Sequence, residues 1–568
     1  MKHYDAYSLE DSDGFTRHNF NAIVLNSTLA DTYWPAFKAV VQQADAKGFM
    51  CSYNAVNGVP MCAQEYLQKD VLRGTWGYTG YITSDTGALS DIYQQHKYVA
   101  TEEEAACAAI AQGTTDVSSD VVYHDALLSA VSKGICSIDD VKAALTRTFT
   151  IRFQAGLFDP VDNQPLWHVP LSAVNTPDSE AANLLHTLST MTLLHNNGNV
   201  LPLPKGKNIA VIGPHGNATA ALVGNYLGQL CVDNSLNCVP SPFQMIGNYN
   251  NGGSVTYAEG CQLNKNDTSG FAAAVAAAKA ADYVVLLLGI DNSIESESLD
   301  RTSIDLPYIQ HQLSSAIAAV GKPTVVVLVN GGMVDITPEK NNANIGAIME
   351  AGYPGMRGAE AIAMTLFGDN DHLGGKLPFT IYPANYVNEI LMSEMEMDVG
   401  PGRTYRYYTG TPVYPFGWGI SLTTFSVTNV TAPTAEQSIF TTGKDVSRLL
   451  TYTVNVTNTG SSTGDEVVFA YMVPQDVPSM KNTNMKVNPL IKQLIDYQRV
   501  HLAPGQSQII NLGITTEAFR MVQKPSGHIV STPGSYKILI TNGVDQHLEY
   551  PVKIVGDEVI VEYFPGSQ

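Results

Sequence analysis

Cationic side chains are scarce in this sequence: 32 Lys and Arg stand against 53 Asp and Glu, a formal net charge of −21 over 568 residues. Binding to nucleic acid or to an anionic membrane surface depends on neutralising phosphate, so this balance excludes both as first expectations. Long apolar runs are also missing. The longest, Phe271 to Ile290, is interrupted by Lys279 and Asp282, and no run reaches the length that crosses a bilayer. The seven cysteines form no CxxC pair, and none has zinc-ligand spacing with histidine, so no metal is expected. The opening MKHYDAYSLEDSDG has no apolar core of a signal peptide. Five Asn-X-Ser/Thr sequons, at Asn26, Asn217, Asn266, Asn429 and Asn455, nevertheless fit a secreted chain. Cys231 and Cys238 flank a polar loop that a disulfide would staple, Cys51 and Cys62 flank another short segment, and the odd count leaves one thiol over.

At 568 residues several packed domains are expected. Residues 1–160 alternate short apolar strands (48–53, 81–85) with helical stretches (35–46, 102–111). Buried strands that end in a polar residue and feed a helix predict part of a (β/α) barrel, with chemistry at the C-terminal strand edge. Only three or four such units fit. Residues 161–185 read as a linker rich in Pro and Asn, with a helix from Ala181 to Leu194. Residues 186–400 read as a doubly wound α/β domain, with strands 208–213, 283–289 and 324–329 and helices 271–281 and 307–320. A connector over 401–421 leads to residues 422–568, whose period-two alternation, as in 450–456 and 535–540, predicts a β-sandwich of immunoglobulin or fibronectin type III size.

Two carboxylate positions follow from this layout. Asp85 ends the strand Ile82-Thr83-Ser84-Asp85, where a barrel-type sheet meets its ligand; the plainer alternative is an N-cap or turn Asp ahead of the next helix. The acidic run Glu295-Ser296-Glu297-Ser298-Leu299-Asp300-Arg301 follows the strand ending at Gly289, at the crevice edge of the second domain, although most acidic runs are solvated loops. Two carboxylates facing one cleft from two domains would supply a nucleophile and a proton donor.

Lys2-His3-Tyr4, Met50 to Pro60 (MCSYNAVNGVP), Gly80 to Asp85 (GYITSD), Gly402 to Tyr408 (GRTYRYY) and Tyr414 to Gly419 (YPFGWG) occur in order and nearly end to end. Together they resemble glycoside hydrolase family 3. Asp291 to Arg301 (DNSIESESLDR), and a small residue in place of Trp after Ser84-Asp85, resemble the β-xylosidase and α-L-arabinofuranosidase branch.

The resemblance implies a barrel, an α/β sandwich and a fibronectin type III-like domain. It also implies a retaining exo-acting hydrolase that removes β-linked xylose, with arabinose as the other sugar of the branch, from oligosaccharides or plant cell-wall polysaccharide outside the cell, without cofactor or metal. Carried over by motif, Asp85 is the nucleophile and Glu297 the acid/base, with Glu295 in reserve, while Lys2, His3 and Tyr53 bind the sugar. Such a mechanism sets the carboxyl groups about 5 to 5.5 Å apart, and Glu297 is expected to be neutral in a shielded cleft. Taken without the resemblance, Lys2 and His3 read as a frayed terminus and Tyr53 as a core aromatic.

Family members carry more barrel before the Lys-His pair. The expectation is therefore a chain lacking the N-terminal part of the barrel, with a sheet left open. His195 stands where the family usually has Lys. Competing readings are a non-catalytic carbohydrate- or protein-binding relative, a β-glucosidase within the family, and a nucleotide-binding protein. The last is discounted because the 212–217 loop lacks GxGxxG and GxxxxGK[ST]. The family's N-acetylglucosaminidase branch is excluded, since Tyr4-Asp5-Ala6-Tyr7 stands where that branch has its Gly-His-Gly loop.

Overall fold

The computed structural model describes residues 1–443, 448–481 and 486–566. The first body is built on two parallel strands, β1 (Gly48–Cys51) and β2 (Tyr81–Ser84), in register Gly48 to Tyr81 through Cys51 to Ser84. Tyr4 bridges β1 on one side and Val117 bridges β2 on the other, both in parallel sense. Four extended segments therefore run side by side, each feeding helical turns, the last helix being Ile138–Gln154. This is four βα units of a (β/α)₈-type barrel.

Residues 1–5 are not frayed. Tyr4 N–H donates to Met50 O at 2.9 Å, and Ser52 N–H donates to Tyr4 O at 2.9 Å. The Tyr4 ring packs edge-on against Phe37 and Phe49 at 5.1 and 5.8 Å. The same segment buries Asp5, whose Oδ1 and Oδ2 accept from Ala6 N–H and Trp34 Nε1; burial pushes its pKa up to about 7, against those two hydrogen bonds.

The second body is a six-stranded sheet, β3 (Thr192–Asn196), β4 (Ile209–Ile212), β5 (Val255–Ala258), β6 (Tyr283–Gly289), β7 (Thr324–Val329) and β8 (Ile345–Glu350), in the order β5-β4-β6-β7-β8-β3. All pairings are parallel except β8 with β3. β6 reads as one continuous apolar run because both of its faces are covered. Val284, Leu286 and Leu288 pack with helices 271–280 and 310–318, while Val285 and Leu287 pack with helices 177–190, 242–249 and 358–366. The helix expected over 181–194 instead spans Pro177–Thr190, and Thr192–Asn196 is strand β3. Leu193 and Leu194 suit either period, and they are taken up as the antiparallel edge beside β8.

The third body is a β-sandwich. Its strands are β9 (Phe425–Thr431), β10 (Ile439–Thr441), β11 (Leu449–Asn458), β12 (Gly464–Asp476), β13 (Gln493–Leu502), β14 (Ser507–Thr515), β15 (Gly534–Thr541) and β16 (His547–Val555), in sheets β9-β11-β14 and β10-β16-β15-β12-β13. β11 alternates buried and exposed positions as its sequence predicts. β12 does not, because both its faces are covered. Val468, Ala470 and Met472 enter the sandwich core, and Val467, Phe469 and Tyr471 pack under Tyr405 and Phe416.

Those two aromatics belong to the 402–419 stretch, which holds the three bodies together. Arg406 forks onto Asp31 at 2.9 and 2.7 Å, Tyr407 Oη donates to Asp31 at 2.7 Å, and Trp418 Nε1 donates to Leu194 O at 2.9 Å. Arg406→Met leaves the Asp31 carboxylate largely buried without its cation. The expected cost is about 3–5 kcal/mol of unfolding free energy in urea titrations, and Asp31→Leu in the same chain is expected to restore part of it.

Six cysteines form three disulfides, Cys51–Cys62, Cys107–Cys136 and Cys231–Cys238, and Cys261 is free and buried. Cys107–Cys136, spanning 29 residues, flanks no short loop and was not legible in the sequence. Among the described residues, no helix is long and apolar enough to cross a membrane.

Candidate active site

Asp85 directly follows β2. Gly87, at φ +87°, makes the turn into helix Ala88–Gln94, whose N-cap receives no side-chain hydrogen bond. Asp85 is therefore not a helix cap. Its Oδ1 accepts from Thr86 N–H at 2.8 Å, and its Oδ2 lies 3.1 Å from His3 Nε2. Burial pushes the carboxyl pKa up. Hydrogen bonds from His3, Thr86 N–H and the Tyr53 hydroxyl outweigh that effect and hold Asp85 below the ordinary aspartate value. The side chain is 15% exposed, so this anion is largely enclosed yet still reaches solvent.

The ring that supplies the Tyr53 hydroxyl is clamped from two directions. The Arg17 guanidinium lies 4.8 Å from its centroid and the His18 ring 4.5 Å away. His18 is itself 2.7 Å from Asp91, and His96 Nε2 meets Tyr53 O at 2.8 Å. Tyr53 is 5% exposed and belongs to the buried core of the first body, with its hydroxyl directed at Asp85.

Glu297 comes from the second body. β6 ends at Gly289, which has φ +140° and an α-carbon where a Cβ would lie 1.9 Å from Val329 O, so the chain must leave the sheet there without a side chain. Paired backbone hydrogen bonds between Ser296 and Leu299 then close a tight hairpin, with Glu297 at its tip and Ser298 at φ +66°. The first body holds that tip. Asp300 accepts from Glu10 and Asp11 N–H at 2.7 and 2.8 Å, and Ser298 N–H donates to Glu10 at 3.0 Å. The Glu297 carboxylate accepts from Arg17 at 2.8 Å and from the Tyr226 hydroxyl at 2.7 Å. Lys2 Nζ sits 5.0 Å over the Tyr226 ring.

The expectation that Glu297 is neutral in a shielded cleft is overturned. Its side chain is 41% exposed. Hydrogen bonds from Arg17 and Tyr226, followed by the Arg17 charge, hold its pKa below the ordinary glutamate value against weak burial and the repulsion of Asp85.

Glu295 is placed differently. Its two oxygens are taken by Arg301 Nε at 2.5 Å and Gly332 N–H at 2.8 Å, both from its own body. It therefore braces the loop within its own body. Arg17, Tyr226 and Glu10 escaped the sequence reading. Arg17 is 280 residues from Glu297 and Tyr226 lies in a loop without pattern, so no local spacing could have flagged either.

The geometry defines a class. A strand-edge carboxylate on a barrel-type body is linked, through Tyr53 and the Arg17 that lies over its ring, to a second carboxylate on a crevice loop of a doubly wound body, the kind of layout found in hydrolases that work with paired carboxyl groups. Residues 1–151 match the glycosyl hydrolase family 3 N-terminal domain, residues 191–422 the C-terminal domain of the same family, and residues 466–543 a fibronectin type III-like domain. The chain is 37% identical to the probable exo-1,4-beta-xylosidase bxlB of Aspergillus terreus, over 99% of its own length and 72% of the relative's. It is 36% identical to beta-D-xylosidase 1 of Arabidopsis thaliana, over 90% of its own length and 68% of the relative's. Among solved structures it is similar to the GH3 exo-beta-xylosidase XlnD bound to a xylobiose aziridine probe, with a TM-score of 0.91 and 31% identity over 100% of this chain and 73% of that one. A beta-glucosidase from Listeria innocua, at 23% identity and a TM-score of 0.82 over 98% of this chain and 73% of that one, shares the fold. The chain belongs to glycosyl hydrolase family 3.

Proposed function

We propose that this chain is an exo-acting, retaining β-xylosidase. In this reading Asp85 is the nucleophile, Glu297 the acid/base, and Lys2, His3 and Tyr53 hold the terminal sugar. What supports it is a chain of contacts that ties Asp85 to Glu297 across two bodies: His3 and Tyr53 on Asp85, Arg17 over the Tyr53 ring, and Arg17 with Tyr226 on Glu297. The named exo-xylosidases similar over nearly the whole chain supply the sugar. The β-glucosidase likeness carries the fold alone.

Asp85 attacks the anomeric carbon as Glu297 passes a proton to the leaving oxygen, and the C–O bond breaks. The glycosyl–Asp85 ester is then cleaved by a water that gives its proton back to Glu297. Two inversions give net retention. Because Arg17 keeps Glu297 anionic in the free chain, the bound oligosaccharide must displace water from around Glu297 and loosen that pairing before the proton can be held and given. His3 keeps Asp85 anionic and aimed for the attack.

The same reading places the protein outside the cell as a glycoprotein acting on xylo-oligosaccharides or hemicellulose. Three disulfides suit an oxidising compartment, and Asn26, Asn217, Asn266 and Asn429 are exposed.

The test is release of nitrophenol from aryl β-xyloside, α-arabinofuranoside and β-glucoside, with NMR assignment of the first-formed sugar. Fastest release from the β-xyloside, giving β-xylose first, is the expected outcome. Fastest release from the β-glucoside, or α-xylose as first product, would overturn the assignment.

A further inference from the structure

Where the second body meets the β-sandwich, a histidine from each side converges on one buried carboxylate. Asp465, near the start of β12, is 4% exposed at its side chain. Its Oδ1 lies 2.6 Å from His501 Nδ1 on β13, and its Oδ2 lies 3.5 Å from His372 Nδ1, in the loop after helix Gly358–Leu366. The two imidazoles stack at 4.4 Å between centroids, 28° apart. His372 Nε2 lies 3.8 Å from Asp371 Oδ1. Ligand atoms of Asp371, His372 and His501 all lie within 4.8 Å of one another.

We propose that Asp371, His372 and His501 bind one divalent transition-metal ion, with zinc the best match to two imidazoles and a carboxylate. Engagement of Nδ1 by a carboxylate fixes the tautomer and leaves Nε2 to the metal, the usual support for a ligating histidine. Here Asp465 gives that support to His501 by a 2.6 Å hydrogen bond, and lies 3.5 Å from the same nitrogen of His372. The nearby cation does not compete for the ligands. Arg499 Nε and its terminal nitrogens are occupied by Asp465 at 2.7 Å, Ser189 O at 3.1 Å and His372 O at 2.9 Å. Ligand atoms around zinc at ~2.0 to 2.1 Å stand about 3.3 Å apart, so the side chains must close in from separations of up to 4.8 Å and the two stacked rings must turn toward each other to share the ion, with a water completing the shell.

The surrounding backbone is firmly set. Asp465 N–H donates to Leu373 O at 3.3 Å, Ser421 Oγ donates to the same oxygen at 2.9 Å, and a Cβ at Gly374 would lie 2.3 Å from Asp465 O. The ion would therefore clip the doubly wound body to the sandwich, remote in sequence and function from the carboxylate cleft.

The test uses the full chain, stripped with EDTA and titrated with zinc chloride in a calorimeter and in thermal melts. Expected are one zinc per chain and a melting midpoint that climbs with the logarithm of free zinc. His372→Gln and His501→Gln each abolish both effects while leaving glycoside hydrolysis unchanged, which also certifies their folding. Asp465→Asn weakens zinc affinity by about 10- to 100-fold. No zinc uptake by the parent chain, or equal uptake by either histidine variant, would overturn the proposal.

Discussion

Asp85→Asn is expected to lower kcat on aryl β-xyloside by about 10⁴-fold or more, the scale on which loss of a nucleophile acts in hydrolases that form covalent intermediates. The amide keeps the shape of the carboxylate and can still accept from Thr86 N–H, so the thermal melt should stay at the parent value. It cannot form the glycosyl ester. An aryl 2-fluoro-β-xyloside, whose ester hydrolyses slowly, is expected to label the peptide containing Asp85 in the parent chain and nothing in the variant. Label on another carboxylate, or near-parental turnover, would defeat the assignment. The pH profile offers an independent check. Asp85 is held below the ordinary aspartate value by His3, Thr86 and Tyr53 against burial. Its reactive anion therefore persists above that lowered value, and any loss of activity from protonating it falls below about pH 3.9.

Glu297→Gln is expected to cost about 10²- to 10⁴-fold in kcat/KM on xylobiose, the usual contribution of a general acid. The loss should be far smaller in the first step on a dinitrophenyl xyloside, whose leaving group needs no proton. Azide should then restore turnover and give β-xylosyl azide, because an anion attacks the ester without a base. Glu295→Gln should show neither leaving-group dependence nor azide rescue, since its oxygens face Arg301 and Gly332. In the free enzyme, hydrogen bonds from Arg17 and Tyr226 and the Arg17 charge depress Glu297. Its proton-bearing form is lost as pH rises through that lowered value, so kcat/KM should fall already on the acid side of neutrality. Arg17→Gln removes the strongest hydrogen bond and the charge that lower it, and the falling limb should move to higher pH. A limb that stays in place would assign it to another group.

Much of this protein was legible because its strands are simple. β6 and β7 were read at their observed limits because both faces are buried and leave uninterrupted apolar runs, and β11 was legible through its clean alternation. The place of Asp85 at a strand end was legible because a polar residue closing an apolar strand is a local signal. Contacts across the chain could not be read. The ionisation of Glu297 depends on Arg17 and Tyr226, 280 and 71 residues away, and composition says nothing of which loop docks where. The Leu193–Leu194 error has the same origin: two adjacent leucines fit a helix until a neighbouring strand pairs with them. His372 and His501 likewise share no local spacing, which is how a metal-ligand search by motif passes over them.

Asp85, His3 and Tyr53 ride on the barrel-type body, while Glu297 and Tyr226 ride on the doubly wound one. On the proposed assignment, recognition of the departing sugar's ring and recognition of what it departs from are inherited on separate stretches of chain. A chimera that imports residues 224–230 and 291–301 from a relative should bring that relative's taste in leaving groups and keep the parent's taste in monosaccharide. Evolution could retune either preference without renegotiating the other.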